Sequence, residues 1–129
     1  VKNELYHYVG GIIDGEGTIS CDKREYINKK SVKKTYYYIS IRIGMSGRAG
    51  KKTLDRIQEI VGLGDIYEHR GVYTYVAHGG VAKAFLERVG PYCYSKQDQV
   101  QAARSFFEKG ANKESIYWRL RYEKQISYK

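Results

Sequence analysis

Leu5, Tyr8, Val9, Ile12 and Ile13 recur at helical spacing, which predicts an amphipathic helix near the start of the chain. The period then changes from about four to two. Ile19 and Cys21 alternate with Ser20, Asp22, Arg24 and Tyr26, while Ile39, Ile41, Ile43 and Met45 alternate with Ser40, Arg42 and Gly44. Two half-buried strands, each with one wet face, follow from this alternation. Leu54, Ile57, Ile60 and Val61 return to helical spacing and are followed by Gly62, which suits a helix C-cap. A second hairpin is predicted over Asp65 to Arg70 and Val72 to His78, turning at Gly71. Val81, Ala84, Phe85 and Val89 mark a further helix that Gly90-Pro91 ends. Ser95 with Asp98 resembles a capping box opening a helix with Val100, Ala103 and Phe107 on one side, and a short helix is expected around Ile116 to Tyr122.

The order is helix, two strands, helix, two strands, helix, helix: an α+β chain that uses a helix–hairpin unit twice without a sequence repeat. At 129 residues this is one domain, with a core over about 4–108 and a basic extension over 109–129. No apolar run approaches the roughly 20 residues that span a bilayer, and the first residues do not show a secretory signal pattern. A soluble intracellular protein, with no membrane partner, is expected, in an organelle or a prokaryotic cytoplasm. Cys21 and Cys93 are far apart and lack the second pair of a metal knuckle, so they read as reduced core thiols.

Charge changes the picture. The formal net charge is +9, which calls for a polyanionic partner. It is concentrated: residues 22–52 are net +8, residues 109–129 net +4, and the rest net −3. Lys29, Lys30, Lys33 and Lys34 alone would be an ordinary solvated turn. Beside them, however, Tyr36, Tyr38, Ser40 and Arg42 share the wet face of one strand, and Ser20, Asp22, Arg24 and Tyr26 that of the other. Hydroxyl, aromatic and guanidinium groups side by side suit phosphates, sugars and base edges, and a basic two-stranded ribbon fits a DNA major groove. Tyr67 and His69 of the second hairpin complete the candidate contact set.

The first helix carries the chemistry. Gly10 and Gly11 inside a helix each cost about 0.8–1 kcal/mol relative to alanine, so a close helix–helix contact is expected to compensate. The helix runs into Asp14-Gly15-Glu16-Gly17. Carboxylates at a helix C-terminus oppose the dipole, so a positive group is expected there, most simply a divalent metal. Asp-Gly and Glu-Gly are also common turn dipeptides; it is the coupling to the glycine pair and the basic ribbon that favours a site.

Val9-Gly10-Gly11-Ile12-Ile13-Asp14-Gly15-Glu16-Gly17, followed by Thr18, resembles the LAGLIDADG motif. The order of elements over about residues 4–108, with Leu54-Asp55-Arg56-Ile57, Val61-Gly62-Leu63-Gly64 and Gly90-Pro91-Tyr92, is similar to the single-motif homing endonucleases of that family. The resemblance implies an αββαββα fold with an antiparallel DNA-binding saddle. It implies a homodimer through paired motif helices, with Tyr8, Val9, Gly10, Gly11, Ile13 and Asp14 at the interface. It further implies that Glu16 is the metal-binding catalytic carboxylate, that Gly15 lends its backbone carbonyl, that Asp14 is structural and helix-terminating, and that Lys96 is the active-site lysine. The family's Gln and Arg near residues 46–51 have no match in Ser46-Gly47-Arg48-Ala49-Gly50-Lys51, which leaves Arg48 or Lys51 to supply the cation.

What the resemblance implies is a Mg²⁺-dependent site-specific DNA endonuclease, hydrolysing one phosphodiester in each strand of a long, nearly palindromic target. A radius of gyration of about 14 Å lets one protomer cover roughly 10 bp and a dimer about 20. Two other functions stay open: a LAGLIDADG-type RNA maturase, and a non-catalytic basic nucleic-acid-binding protein in which Asp14 and Glu16 only end a helix.

Overall fold

A computed structural model, which describes residues 2–127, orders the elements as α1 (Lys2–Glu16), β1 (Gly17–Ile27), β2 (Lys33–Ser46), α2 (Gly47–Val61), β3 (Asp65–His69), β4 (Val72–His78), α3 (Gly80–Val89), a 3-10 turn (Gly90–Tyr92), α4 (Gln97–Ser105) and α5 (Lys113–Ser127). The strands form one antiparallel sheet in the order β1-β2-β4-β3. Gly17 stands opposite Ile43 and Ile27 opposite Lys33. On the other side of β2, Ser40 pairs with His78 and Ser46 with Val72, and β3 closes the edge with Asp65 opposite Val76.

Because side chains alternate between faces, this register sorts them into two layers. Ile19, Cys21, Ile39, Ile41, Ile43, Tyr75 and Ala77 point to one face, where they join Val9, Ile13, Leu54, Ile57, Phe85, Leu86, Val89 and Val100 of the helices in a single core. Each fully buried aliphatic side chain contributes about 1.5–3 kcal/mol, and that burial selects the register: a one-residue slip of any strand would turn that strand's core residues outward. The opposite face carries the polar set and none of this core.

Both hairpins turn by mechanisms written in their residues. Asn28 Oδ1 accepts hydrogen bonds from the backbone N–H groups of Lys30 (2.9 Å) and Val32 (3.0 Å), folding the five-residue loop at the end of the ribbon. Arg70 and Gly71 form a two-residue turn with φ of 51° and 81°, the doubly positive conformation that fits the twist of a hairpin. The expected C-cap at Gly62 is present, its N–H bonded to the Gln58 carbonyl.

Three expectations about the helices change. α4 starts two residues after Ser95 with Lys96 as N-cap, and no side chain caps it, so the Ser95–Asp98 box does not form. Asp14 takes that capping role from outside the helix, accepting the Lys96 N–H at 3.2 Å. Phe107 lies beyond α4, which ends at Ser105. The last helix is longer than the Ile116–Tyr122 expected: Ile116 and Leu120 anchor it to the core, and Tyr37 packs on Tyr117 at 5.6 Å between ring centroids.

The helix–helix contact expected at Gly10 is replaced by a close approach to a turn. A Cβ at Gly10 would lie 2.3 Å from the carbonyl oxygen of Tyr92, so α1 packs its glycine on the 3-10 turn of its own chain. The Tyr92 ring reinforces the contact, with His7 edge-on at 4.7 Å and Tyr6 at 5.7 Å. A Cβ at Gly11 would meet nothing within 4 Å.

Candidate active site and nucleic-acid interface

The C-terminal end of α1 meets the start of α4. Asp14 Oδ2 accepts the Tyr94 N–H at 2.7 Å and Oδ1 the Lys96 N–H at 3.2 Å, while Lys96 Nζ donates to the Asp14 carbonyl at 2.8 Å. Lys96 is therefore a positive group at the negative end of the helix, as the dipole requires. Glu16 lies one turn-end further on, exposed, in a cleft of about 460 Å³ lined by Asp14, Gly15, Gly17, Thr18, Ser95, Lys96 and Gln99. Gly15, Glu16 and Lys96, up to 81 residues apart in sequence, thus line one cleft.

The cleft fits a hard divalent cation. Its donors are oxygens: the Glu16 carboxylate, which has no hydrogen-bond or ion-pair partner among the described residues, and the backbone of Gly15, which lines the same cleft. Magnesium keeps several waters and needs few protein ligands when substrate phosphates complete its shell. Among the described residues no group of three or more His, Cys, Asp and Glu gathers at one place, so one chain supplies a partial ligand set.

Arg48 and Lys51 are not in this cleft. Lys51 Nζ is bonded to Asp55 at 2.8 Å, one turn along α2, and faces a groove against β3 with Tyr67, Glu68 and Tyr73. Arg48 is exposed in the first turn of α2. Neither supplies the missing cation within one chain; helical spacing in α2 points its other face, at Gly50 and Leu54, toward the core.

The motif-helix face also needs correction. Val9 and Ile13 are completely buried in the chain's own core, Gly10 is covered by the 3-10 turn, and the Asp14 carboxylate is occupied by Tyr94 and Lys96, so these four cannot form an intersubunit surface. The exposed stripe of α1 runs through Tyr8, Gly11 and Gly15, with Ile12 half-buried beside it. A nine-residue motif is wider than one helix face, so the sequence pooled residues that point in opposite directions.

The open face of the sheet collects most of the predicted contacts in transverse rows. Tyr26 pairs with Lys34, Arg24 with Tyr36, Asp22 with Tyr38, and Ser20 with Ser40, which continues to His78. Thr18, Arg42, Val76 and Asp65 form the next row, and Gly44, Thr74 and Tyr67, then Ser46, Val72 and His69, complete the face. Tyr36 and Tyr38 stack at 5.8 Å between centroids. Lys29 and Lys30 sit at the exposed tip of the ribbon.

Two predicted contacts fail. Ser40 is 0% exposed, because the Arg42 side chain lies over it with Nε donating to its hydroxyl at 3.4 Å. Lys33, opposite Ile27, points to the other side of the ribbon and pairs with Glu25 at 3.0 Å, which holds the Glu25 carboxyl below its ordinary range. Conversely, Thr74, Val72 and His78 belong to the face without a sequence signal that marks them. In Val72-Tyr73-Thr74-Tyr75-Val76-Ala77-His78 both faces carry apolar or aromatic residues, so alternation gives no clear signal; only the pairing of Ser40 with His78 reveals it.

No protein-family model and no curated protein matches the chain. Among solved structures, the homing endonuclease I-CvuI bound to its DNA target superposes with a TM-score of 0.73 at 19% identity, covering 92% of this chain and 76% of that one. The archaeal intron-encoded homing endonuclease I-Vdi141I, in complex with DNA, gives 0.64 at 19%, covering 95% and 86%. The homing endonuclease I-TnaI gives 0.60 at 14%, covering 91% and 96%. The LAGLIDADG homing endonuclease I-LtrWI, bound to its target DNA, gives 0.57 at 16%, covering 83% of this chain and 35% of that one.

Proposed function

We propose that a protein with this LAGLIDADG homing endonuclease fold is itself a site-specific DNA endonuclease. The observation that carries the reading is the unpartnered Glu16 carboxylate at the negative end of α1, in one cleft with Lys96 and at the start of the strand that begins the open basic face. Fold neighbours solved in complex with target DNA, including one with magnesium and one with calcium present, support a duplex DNA partner and a divalent ion.

Glu16 and the Gly15 carbonyl would hold that ion, which supplies charge neutralisation at the scissile phosphate and an acidified water. The chain's own residues do the rest. The open sheet face binds the duplex and fixes its register through Arg24, Lys34, Arg42 and the tyrosines. Lys96, held by the Asp14 carbonyl, presents its ammonium toward the cleft where negative charge grows on the phosphate oxygens. Asp14 sets the position of Lys96 through two hydrogen bonds and, with a third from the Tyr94 N–H, ties the α4 start to the motif helix.

One chain holds one such carboxylate, so cutting both strands takes two copies. The stripe of Tyr8, Gly11 and Gly15 offers a flat helix face on which a second α1 packs closely, and this pairing brings the two Glu16 side chains near one axis. The target is then long and near-palindromic, at about 10 bp per protomer. The test is selection of cleaved sites from a random duplex library with Mg²⁺ present: recovery of one symmetric site supports the reading, and recovery of no cleaved site overturns it. Light scattering that finds a stable monomer both free and on DNA overturns the dimer.

A further inference from the structure

Resting on the DNA-binding reading above, we propose that Arg42 is a guanine-reading residue, and that Asp22 and Ser40 are not DNA contacts but positioning residues that aim its guanidinium. Arg42 sits in the middle of β2, an interior strand, on the open face beside Thr18 and Val76. Its side chain is neither buried nor free: it is 49% exposed and held from one edge. Nε donates to Ser40 Oγ at 3.4 Å, and Nη2 stands 3.7 Å from Asp22 Oδ2. Asp22 is in turn fixed by Ser20, whose hydroxyl donates to Oδ1 at 3.3 Å.

The geometry of the fork decides what is left. Nε and the near side of Nη2 form one edge of the guanidinium plane, and the protein occupies that edge. The Nη1/Nη2 edge has no partner among the described residues, and Arg42 is itself part of the lining of a hollow shared with Arg24, Tyr36, Tyr38, His78 and Gly79 on the open face. Two parallel N–H donors on a planar, preoriented edge match O6 and N7 of guanine in the major groove, the commonest specific arginine contact. A phosphate contact does not need this arrangement. An acidic side chain on a face that meets a polyanion repels it, and the ribbon tip already supplies Lys29, Lys30 and Lys34 for the backbone. Asp22 is explained by what it does to Arg42: with Ser40 it removes the rotamer freedom that an exposed arginine would otherwise lose on binding.

The experiment uses the full chain and a fully randomised duplex DNA library, from which bound sites are selected and sequenced for wild type, Arg42→Lys, Arg42→Gln and Asp22→Asn. Wild type is expected to show a strong guanine at one position of each half-site. Arg42→Lys keeps the charge but not the fork, and should reduce that guanine preference by about 5- to 150-fold while the other positions keep theirs. Arg42→Gln should move the same position toward adenine, whose N6 and N7 suit an amide. Asp22→Asn should weaken the same position, and no other, by a smaller factor. Loss of affinity spread evenly over all positions in the Arg42 variants, or an unchanged profile, overturns the proposal while leaving DNA binding intact. A wild-type chain that selects no sequence at all overturns the DNA-binding reading together with it.

Discussion

Gly10 and Gly11 are adjacent in sequence and interior to α1, yet alanine at the two positions should have opposite effects. At Gly10 the new methyl group would lie 2.3 Å from the Tyr92 carbonyl oxygen and 2.6 Å from its carbon, both backbone atoms of the 3-10 turn. That is short of van der Waals contact by roughly 1 Å, and no side-chain rotation relieves it. The turn would have to move, and it carries the Cys93 and Tyr94 connection to the Asp14 carboxylate. Overpacking of this kind costs about 1–3 kcal/mol or more, against the roughly 0.8–1 kcal/mol that alanine returns to a helix interior. At Gly11 no atom lies within 4 Å, so only the helix-propensity gain applies to the single chain. Thermal unfolding at protein concentrations low enough to hold each variant monomeric measures both. Gly10→Ala should lower the midpoint by several degrees, at about 3–6 °C per kcal/mol for a chain of this size, and Gly11→Ala should leave it unchanged or raise it. Gly11→Ala should in turn weaken self-association, since its methyl group enters the proposed pairing face. A Gly10→Ala protein as stable as wild type would refute the packing argument.

Further outcomes follow from the same structure. Asp14→Ala removes the acceptor of the Tyr94 and Lys96 N–H groups, and, with water able to reach the exposed Tyr94 site, should cost about 0.5–1.5 kcal/mol in denaturant unfolding. Burial pushes the Cys93 thiol up to about 12 and the Cys21 thiol to about 11 from an ordinary 9.0, so neither should react with a disulfide probe at pH 8 until the chain unfolds. Burial raises the Tyr75 phenol as well. These groups keep their protons in the folded state when the unfolded chain has lost them, so stability should fall as pH rises above about 9, by up to roughly 1.4 kcal/mol per pH unit per group; a stability curve that rises there contradicts the assigned burial. DNA affinity should fall with salt with a log–log slope of about −3 to −4 per protomer if Arg24, Lys29, Lys30 and Lys34 all engage phosphates, and a slope near zero would exclude this face.

The fold was legible where one physical rule acted alone. Alternation about Ile19 and Cys21, and about Ile39, Ile41 and Ile43, placed both ribbon strands and their inner faces correctly, because a sheet buried on one side must keep that period. Helical spacing with Gly62 located α2 and its cap. Legibility failed where two demands shared a residue. Ser40 has the polarity of a surface position and the parity of the open face, but Arg42 folds over it, and a one-dimensional pattern does not show a neighbour's rotamer. Lys33 continues a basic run whose members point alternately to both sides of the ribbon. The nine-residue motif combines Val9 and Ile13, which face the core, with Gly11, which faces out, because a motif defined along the string does not mark which side of the helical cylinder each residue takes. Lys96 was found through the resemblance alone: its bond to the Asp14 carbonyl spans 82 residues and has no local sequence signal.

The central claim is that Glu16 is the chemical group and the sheet the binding surface, and one paired measurement separates them. On a duplex carrying the selected site, wild type with Mg²⁺ should cut both strands, and Glu16→Gln should bind with similar affinity, by gel shift in Ca²⁺, while cutting neither. A Glu16→Gln protein that still makes the metal-dependent double-strand break would contradict the account.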